Sequence, residues 1–260
     1  MGRMDQKVAV IAGLFDETAQ GIARRYRQEG SRVAIIAYPD QNLDMTASAA
    51  DLAFHADIGD RDTALQAVQR VASELGAPDV LVNNVIRHYA LAPLERKRAQ
   101  DMDAALGDVR TALWMKQAVF PSMKERKWGR IVNIGSRHGE LMNLCIGDYN
   151  AATWGLRGLT RTAAAEWAEH GVIVNMLEAT TQTAEFDAYR AGSPDIVDAL
   201  LDQVALGRRG DPVEDIGAAA VFLSCDESNI IIGQVVYADG GQHIAAPAFN
   251  PHLCPDVEMM

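Results

Sequence analysis

Six histidines and three cysteines are the side chains of this 260-residue chain best suited to hold a metal or attack an electrophile. Their spacing supports neither use. There is no HExxH pattern and no clustered histidine, so no metal is expected. Cys145, Cys225 and Cys254 are an odd, widely separated set without CxxC, which fits a reducing compartment rather than a disulfide framework. His138 follows Ser136 and Arg137 and has the right side chain for acid or base work near neutral pH; a solvated loop histidine is the plainer reading. Arg110 is open to three readings: a partner for Glu17, a holder of an acidic substrate, or half of a structural ion pair.

The elements that must position such residues alternate. Short β-branched runs fall at 7–12, 32–37, 79–83, 130–135, 172–176 and 234–238, with helical stretches at 21–29, 60–75, 99–125, 149–170 and 212–225. Strands that are apolar throughout, separated by amphipathic helices, predict an α/β fold: a Rossmann-like doubly wound parallel sheet with helices on both faces. The ligand crevice of such a sheet lies at the carboxyl ends of its strands. No repeat, low-complexity tract or long linker divides the chain, so residues 1–260 read as a single domain, which at this length buries roughly three-quarters of its unfolded surface. Residues 178–206 break the β/α rhythm and are expected to form a helical flap over the crevice. The tail, 243–260, carries Pro247, Pro251 and Pro255 without any period; it is either frayed or docked on a neighbouring subunit.

At 48% hydrophobic and 23% charged residues, disorder and collagen-like repeats are excluded. The charge sum, 24 − 35 = −11, repels phosphate backbones and anionic membranes, so neither nucleic acid nor a membrane is the expected partner. No apolar stretch approaches the roughly 18 residues of a membrane span. The start lacks a signal-peptide apolar region, and Gln6 stands where a myristoylation signal wants Ser or Thr; a soluble cytoplasmic protein is expected.

Several ordered segments resemble the short-chain dehydrogenase/reductase family: 129–136 (GRIVNIGS), Tyr149, 155–160 (GLRGLT), 171–175 (GVIVN), 211–215 (DPVED) and 233–241 (GQVVYADGG). The resemblance runs from about residue 7 to residue 241. In that family a Ser polarises the substrate carbonyl, a Tyr transfers the proton, a Lys one helical turn later lowers the Tyr pKa and binds the nicotinamide ribose, and an Asn holds a water in the proton path. The resemblance implies Ser136 and Tyr149 as catalytic, at the family's interval of 149 − 136 = 13. The Lys position is Thr153, which has no charge to bring a phenol of pKa near 10 towards neutral. If the ion pair is worth ~2 pKa units, its loss costs about 3 kcal/mol, on the order of a hundredfold in rate. The Asn position is read as Arg110. Arg157, 157 − 149 = 8 residues after the Tyr, lies two turns away and cannot replace the Lys.

The implied nucleotide site is altered too. In the family's glycine-rich turn, Gly13 matches the first glycine, Glu17 stands at the second and Ala19 at the third; an alternative register, like the enoyl-reductase members, would use 19–23 with a shorter loop. Glycines there let a pyrophosphate lie on the helix N-terminus. Glu17 is therefore expected to satisfy the helix dipole from within and to repel phosphate. Ile86 stands where the adenosine ribose needs room, Ala37 and Tyr38 where an acidic residue would accept the ribose hydroxyls, and Ala179 and Thr180 where Pro-Gly shapes the nicotinamide pocket. Gly13, Asp57 and Asn83 remain as weak cofactor contacts. The small residues Ala151, Ala152, Ala163 and Ala164 suit either the helix-bundle dimer interface of the family or ordinary packing against the sheet.

The resemblance thus implies a short-chain dehydrogenase-like subunit, itself non-catalytic or cofactor-deficient, of a heteromeric NAD-dependent alcohol dehydrogenase of hydroxyacyl-CoA type. It is similar in kind to the arrangement that oxidises (hydroxybenzyl)succinyl-CoA. An active paralogue would supply NAD and the Tyr–Lys pair, and a small molecule or acyl-CoA would be the substrate. Two alternatives stay open: a self-sufficient NAD(P)-dependent oxidoreductase with a relocated cation such as Arg110, and a cofactor-independent lyase or ligand-binding module. Halohydrin dehalogenases set a precedent for the latter, with Arg where this chain has Thr153.

Overall fold

The computed structural model describes residues 2–42, 49–136, 139 and 143–244; Arg137, His138, Cys254 and residues 245–260 of the tail lie outside them. Strands β1 (Val8–Gly13), β2 (Arg32–Ala37), β4 (Val80–Asn84) and β5 (Gly129–Gly135) are buried at all but, at most, one terminal position. Runs that are apolar on both faces can be satisfied only inside a covered sheet. With β3 (Leu52–His55), β6 (Val172–Ala179) and β7 (Val235–Ala238) they form one seven-stranded sheet in the order β3-β2-β1-β4-β5-β6-β7, every neighbouring pair parallel. The doubly wound α/β expectation holds. One face is covered by α1 (Glu17–Gln28) and α7 (Ala218–Ser224), the other by α2 (Arg61–Glu74), α3 (Ala99–Arg126) and α4 (Gly147–Trp167). The strand order reverses between β1 and β4, which places the crevice above their carboxyl ends.

Three boundaries differ from the sequence expectation, each for a physical reason. Strand β3 is a four-residue edge strand with no β-branched run, and only its pairing with β2 defines it. Strand β6 continues past Met176 to Ala179 because Glu178, which reads as a break, is buried in register with Gly135 and Tyr237. Helix α1 starts at Glu17, not Gly21, because Asp16 caps it through its side chain. The segment expected to form a flap holds two helices, α5 (Ala184–Gly192) and α6 (Pro194–Leu201), after β6 takes its first residues, and a π-helical turn (Pro212–Gly217) leads into α7. Of the small α4 residues, Ala152, Ala163 and Ala164 are buried within this chain against the sheet. No helix of the described residues is long and apolar enough to cross a membrane.

Under the sheet, Asn83 donates to Asn133 (2.9 Å), which donates to Thr160 (2.8 Å). Lys116 on α3 is buried on the same side of the sheet, and its ammonium has no hydrogen-bond partner among the described residues. Burial drives its pKa down to about 7. The unfolded chain keeps that proton to about 10.5, so above pH 7 the unfolded state binds more protons and stability rises with pH. Above about pH 9 the buried Cys225 thiol, whose pKa burial raises, acts in the opposite sense. Between pH 7 and 9, denaturant unfolding should therefore show stability rising by on the order of 1 kcal/mol per pH unit. Lys116→Met should abolish that slope and stabilise the protein at pH 7; a slope that survives the substitution would assign it to another group, and a flat dependence in the native chain would show that the ammonium is hydrated in the folded state.

Candidate active site

Ser136 follows β5, Tyr149 lies in the first turn of α4, and their hydroxyls are hydrogen-bonded, so the expected pair is assembled. A buried clasp holds the start of α4. Asp148 accepts from Lys97 Nζ (2.6 Å), from Ala90 N–H (2.8 Å) and from Tyr149 N–H (3.0 Å). Lys97 also donates to the Ala90 carbonyl. Burial alone would raise the Asp148 pKa; the lysine and the two amides bring it below the ordinary carboxylate value.

The electrostatics around the phenol run against proton transfer. Burial pushes the Tyr149 pKa up to about 12; the Ser136 hydrogen bond lowers it, while Glu178, Asp108 and Tyr89 raise it further. The phenol is therefore held in its protonated form at neutral pH. Glu178 is 1% exposed on β6, and a Cβ built on Gly135 would meet its Oε1 at 2.6 Å, so the carboxylate lies against the strand that leads to Ser136. Thr153 gives no compensation. It is buried, its hydroxyl has no partner among the described residues, and Gly139 sits on it so closely that a Cβ there would meet Thr153 Cβ and Cγ2 at 2.6 Å. Gly139 therefore packs directly on the Thr153 side chain, with no room for a larger one unless it shifts.

Within the glycine-rich turn, the structure corrects the role given to Glu17. Asp16 is the carboxylate on the α1 N-terminus: its Oδ1 accepts from Ala19 N–H (2.9 Å) and Asn84 Nδ2 (3.0 Å), and burial raises its pKa. Glu17 instead reaches the flap, where its Oε1 accepts from Ala184 N–H (3.0 Å). The adjacent Thr18 hydroxyl shares a 2.8 Å hydrogen bond with that of Thr181. Gly13 is required by close approach rather than by a ligand: its φ is +115°, and a Cβ would lie 2.2 Å from the Asn84 carbonyl oxygen.

The adenosine half of a dinucleotide would cross from the end of β2 over β1 to β4. Tyr38 takes that course. Its ring is buried with Ile58, Val85 and Ile86, and its hydroxyl donates to the Val85 carbonyl (3.2 Å). The Arg87 guanidinium lies 3.8 Å from the ring centroid, and its NH1 donates to both Asp40 carboxylate oxygens at 2.8 Å. Tyr38, Arg87 and Asp40 thus form one packed group between the ends of β2 and β4.

Other expected site residues divide. Ile86 stands in the crevice wall as anticipated. Asn83 points under the sheet, and Asn84 is the asparagine in the crevice. Asp57 is exposed just beyond β3, beside buried Ile58. Arg110 is exposed on α3, which removes it as a cation for Tyr149 and as a partner of Glu17. Asp108 takes the inward position, sharing the helix phase of Ala105, Ala112, Met115 and Val119. It accepts from Arg87 N–H (2.7 Å), His88 N–H (2.8 Å) and the His88 ring (Nδ1, 2.7 Å). Sequence reasoning missed Asp108, though helix periodicity marks it. It also missed Arg209, which enters the crevice because segment 207–211 pairs with the strand end through the Thr181–Gly210 bridge. The resulting cavity, about 210 Å³, includes Asp16, Thr18, Ser136, Tyr149, Thr183 and Arg209 in its lining. Among the described residues no group of three or more His, Cys, Asp or Glu side chains stands together as a metal site.

Comparison with known proteins agrees with the fold. The family model described as Enoyl-(Acyl carrier protein) reductase matches residues 17–243. The 12alpha-hydroxysteroid dehydrogenase of a Clostridium species is 30% identical over 256 residues, covering 93% of this chain and 98% of that protein. The D-threitol dehydrogenase of Mycolicibacterium smegmatis is 33% identical over 251 residues, covering 93% and 95%. A crystal structure of a Burkholderia cenocepacia gluconate 5-dehydrogenase in complex with NADP and tartrate superposes with a TM-score of 0.80 at 26% identity, covering 94% of this chain and 98% of that one.

The contact with Gly139 fixes what a restored lysine would do. Thr153→Lys should destabilise the protein by about 1–3 kcal/mol through overpacking. Spectrophotometric titration of the tyrosines should show no phenol brought near neutral pH. A stable variant with a tyrosine ionising near neutrality would mean that the loop carrying Gly139 moves aside at little cost.

Proposed function

This chain belongs to the short-chain dehydrogenase/reductase family, and from that membership we propose that it is the cofactor-deficient subunit of a heteromeric NAD-dependent dehydrogenase acting on a hydroxyl or carbonyl group. An active short-chain partner supplies the dinucleotide and the Tyr–Lys pair. Its curated relatives are oxidoreductases, and their activities set the reaction class. Acetoacetyl-CoA reductase is among them, which suits a substrate of hydroxyacyl-CoA type. The observation that carries the reading is Tyr38, buried and hydrogen-bonded across the adenosine position with Arg87 over its ring. Asp16 on the α1 N-terminus supports it, as does Tyr149, which burial holds protonated, with Thr153 one helical turn on. Ser136 and Tyr149 keep one capability, that of two neutral hydroxyls able to orient a substrate oxygen. A cytoplasmic setting goes with this reading, supported by unpaired Cys145 and Cys225.

Calorimetric titration of the purified chain with NAD and NADP at about millimolar concentration should give no binding. Purification from the native source should bring down a second short-chain dehydrogenase that carries an intact Tyr-x-x-x-Lys. A lone homo-oligomer with nicotinamide-dependent activity abolished by Tyr149→Phe would reject the proposal.

A further inference from the structure

Tyr149 is a wall shared by two cavities of different character. On one side lies the polar chamber of about 210 Å³ with Arg209. On the other, a chamber of about 350 Å³ is lined by Tyr89, Leu91, Asn143, Leu144, Ile146 and Tyr149. Large apolar side chains stand in solvent at this second mouth: Leu144 is 90% exposed, Leu91 78% and Tyr89 59%. An apolar cluster of this kind at the edge of a cavity marks a binding surface.

The polar chamber carries one guanidinium with donors to spare. Arg209 lies over the Phe186 ring (3.9 Å to the centroid), donates from NH1 to the Thr181 carbonyl (3.2 Å), and makes no ion pair among the described residues. Burial lowers its pKa, and Glu185 opposes this at longer range. A half-buried guanidinium held over a ring is well suited to a carboxylate. The one carboxylate in the same lining, Asp16, is already held by Ala19 N–H and Asn84 Nδ2 at the helix end. In a chain of net charge −11, only such a local cation can bind an anion.

The geometry points to a small monocarboxylate with an apolar body as the ligand of this crevice. Its carboxylate sits on Arg209, its apolar body on Leu91, Leu144 and Ile146, and the Ser136 and Tyr149 hydroxyls lie between. The inference rests on the reading that this chain holds no dinucleotide, since a nicotinamide would claim the same chamber.

Calorimetry of the full chain with phenylbutyrate, phenylbutyramide and NAD tests it. Phenylbutyrate should bind at least about tenfold more tightly than its neutral amide. Arg209→Gln should remove that advantage and Arg209→Lys should keep part of it. Leu144→Ser, at a side chain too exposed to unfold the protein, should weaken both ligands severalfold. Equal binding of acid and amide, unchanged acid affinity in Arg209→Gln, or no binding of the acid where NAD also fails to bind, overturns this inference alone. Binding of NAD in competition with phenylbutyrate overturns the cofactor-deficient reading and this inference with it. If Arg209→Gln melts early, the acid–amide contrast in the native chain and in Leu144→Ser decides.

Discussion

A phenol removed from water, with carboxylates whose fields oppose its anion, is the constraint on which the chemistry of this crevice depends. Burial acts on Tyr149 in one direction only, against the phenolate, and the fields of Glu178 and Asp108 act in the same sense. The hydrogen bond from Ser136 favours the anion but is outweighed. A general acid or base works best with a pKa near the operating pH, and this tyrosine is far from it. It retains the ability to place a hydrogen bond. The clasp of Lys97, Asp148 and the loop amides holds that hydroxyl in position without altering its proton.

The same logic extends along the groove. Helix N-termini attract negative charge, and here the chain supplies it from Asp16, one residue before α1 begins. The crevice between the ends of β2 and β4 would otherwise be hydrated; it holds an aromatic ring, with a guanidinium stacked above it and a carboxylate fixing the guanidinium. Burial of a ring of this size contributes on the order of 1.5–3 kcal/mol.

Strand interiors were legible in the sequence because a run buried on both faces leaves a signal that depends on no neighbour; β2 was read to the residue. The edge strand β3 was not, since four residues acquire their meaning only from pairing with β2. In the site, Ser136, Tyr149 and Thr153 were readable from one helix and the strand end before it. Glu17 and Arg110 were each misplaced by a residue or two, and for side chains that is decisive: a helix turns about 100° per residue, so the neighbour faces elsewhere. Asp16 carried a local sign in its N-cap chemistry, and Asp108 carried one in the helix phase it shares with Ala105 and Ala112. Arg209 had none, because the bridge between Thr181 and Gly210 that brings it into the crevice joins segments far apart in the chain.

The side chains around the crevice are paired with one another: Thr153 packs on Gly139, Tyr38 on Arg87 with Asp40 behind it, Asp16 is bonded to Asn84 and Thr18 to Thr181. All lie at the carboxyl ends of strands or on the elements packed against them, while the strand interiors keep an unbroken apolar core. A sheet core is stabilised by burial along its length and is indifferent to what its loops hold, so fold and site can change separately. Contacts that interlock in this way couple energetically, so the effects of substitutions within one such group are not expected to add. Shortening Tyr38 alone, for example, leaves Arg87 still tied to Asp40.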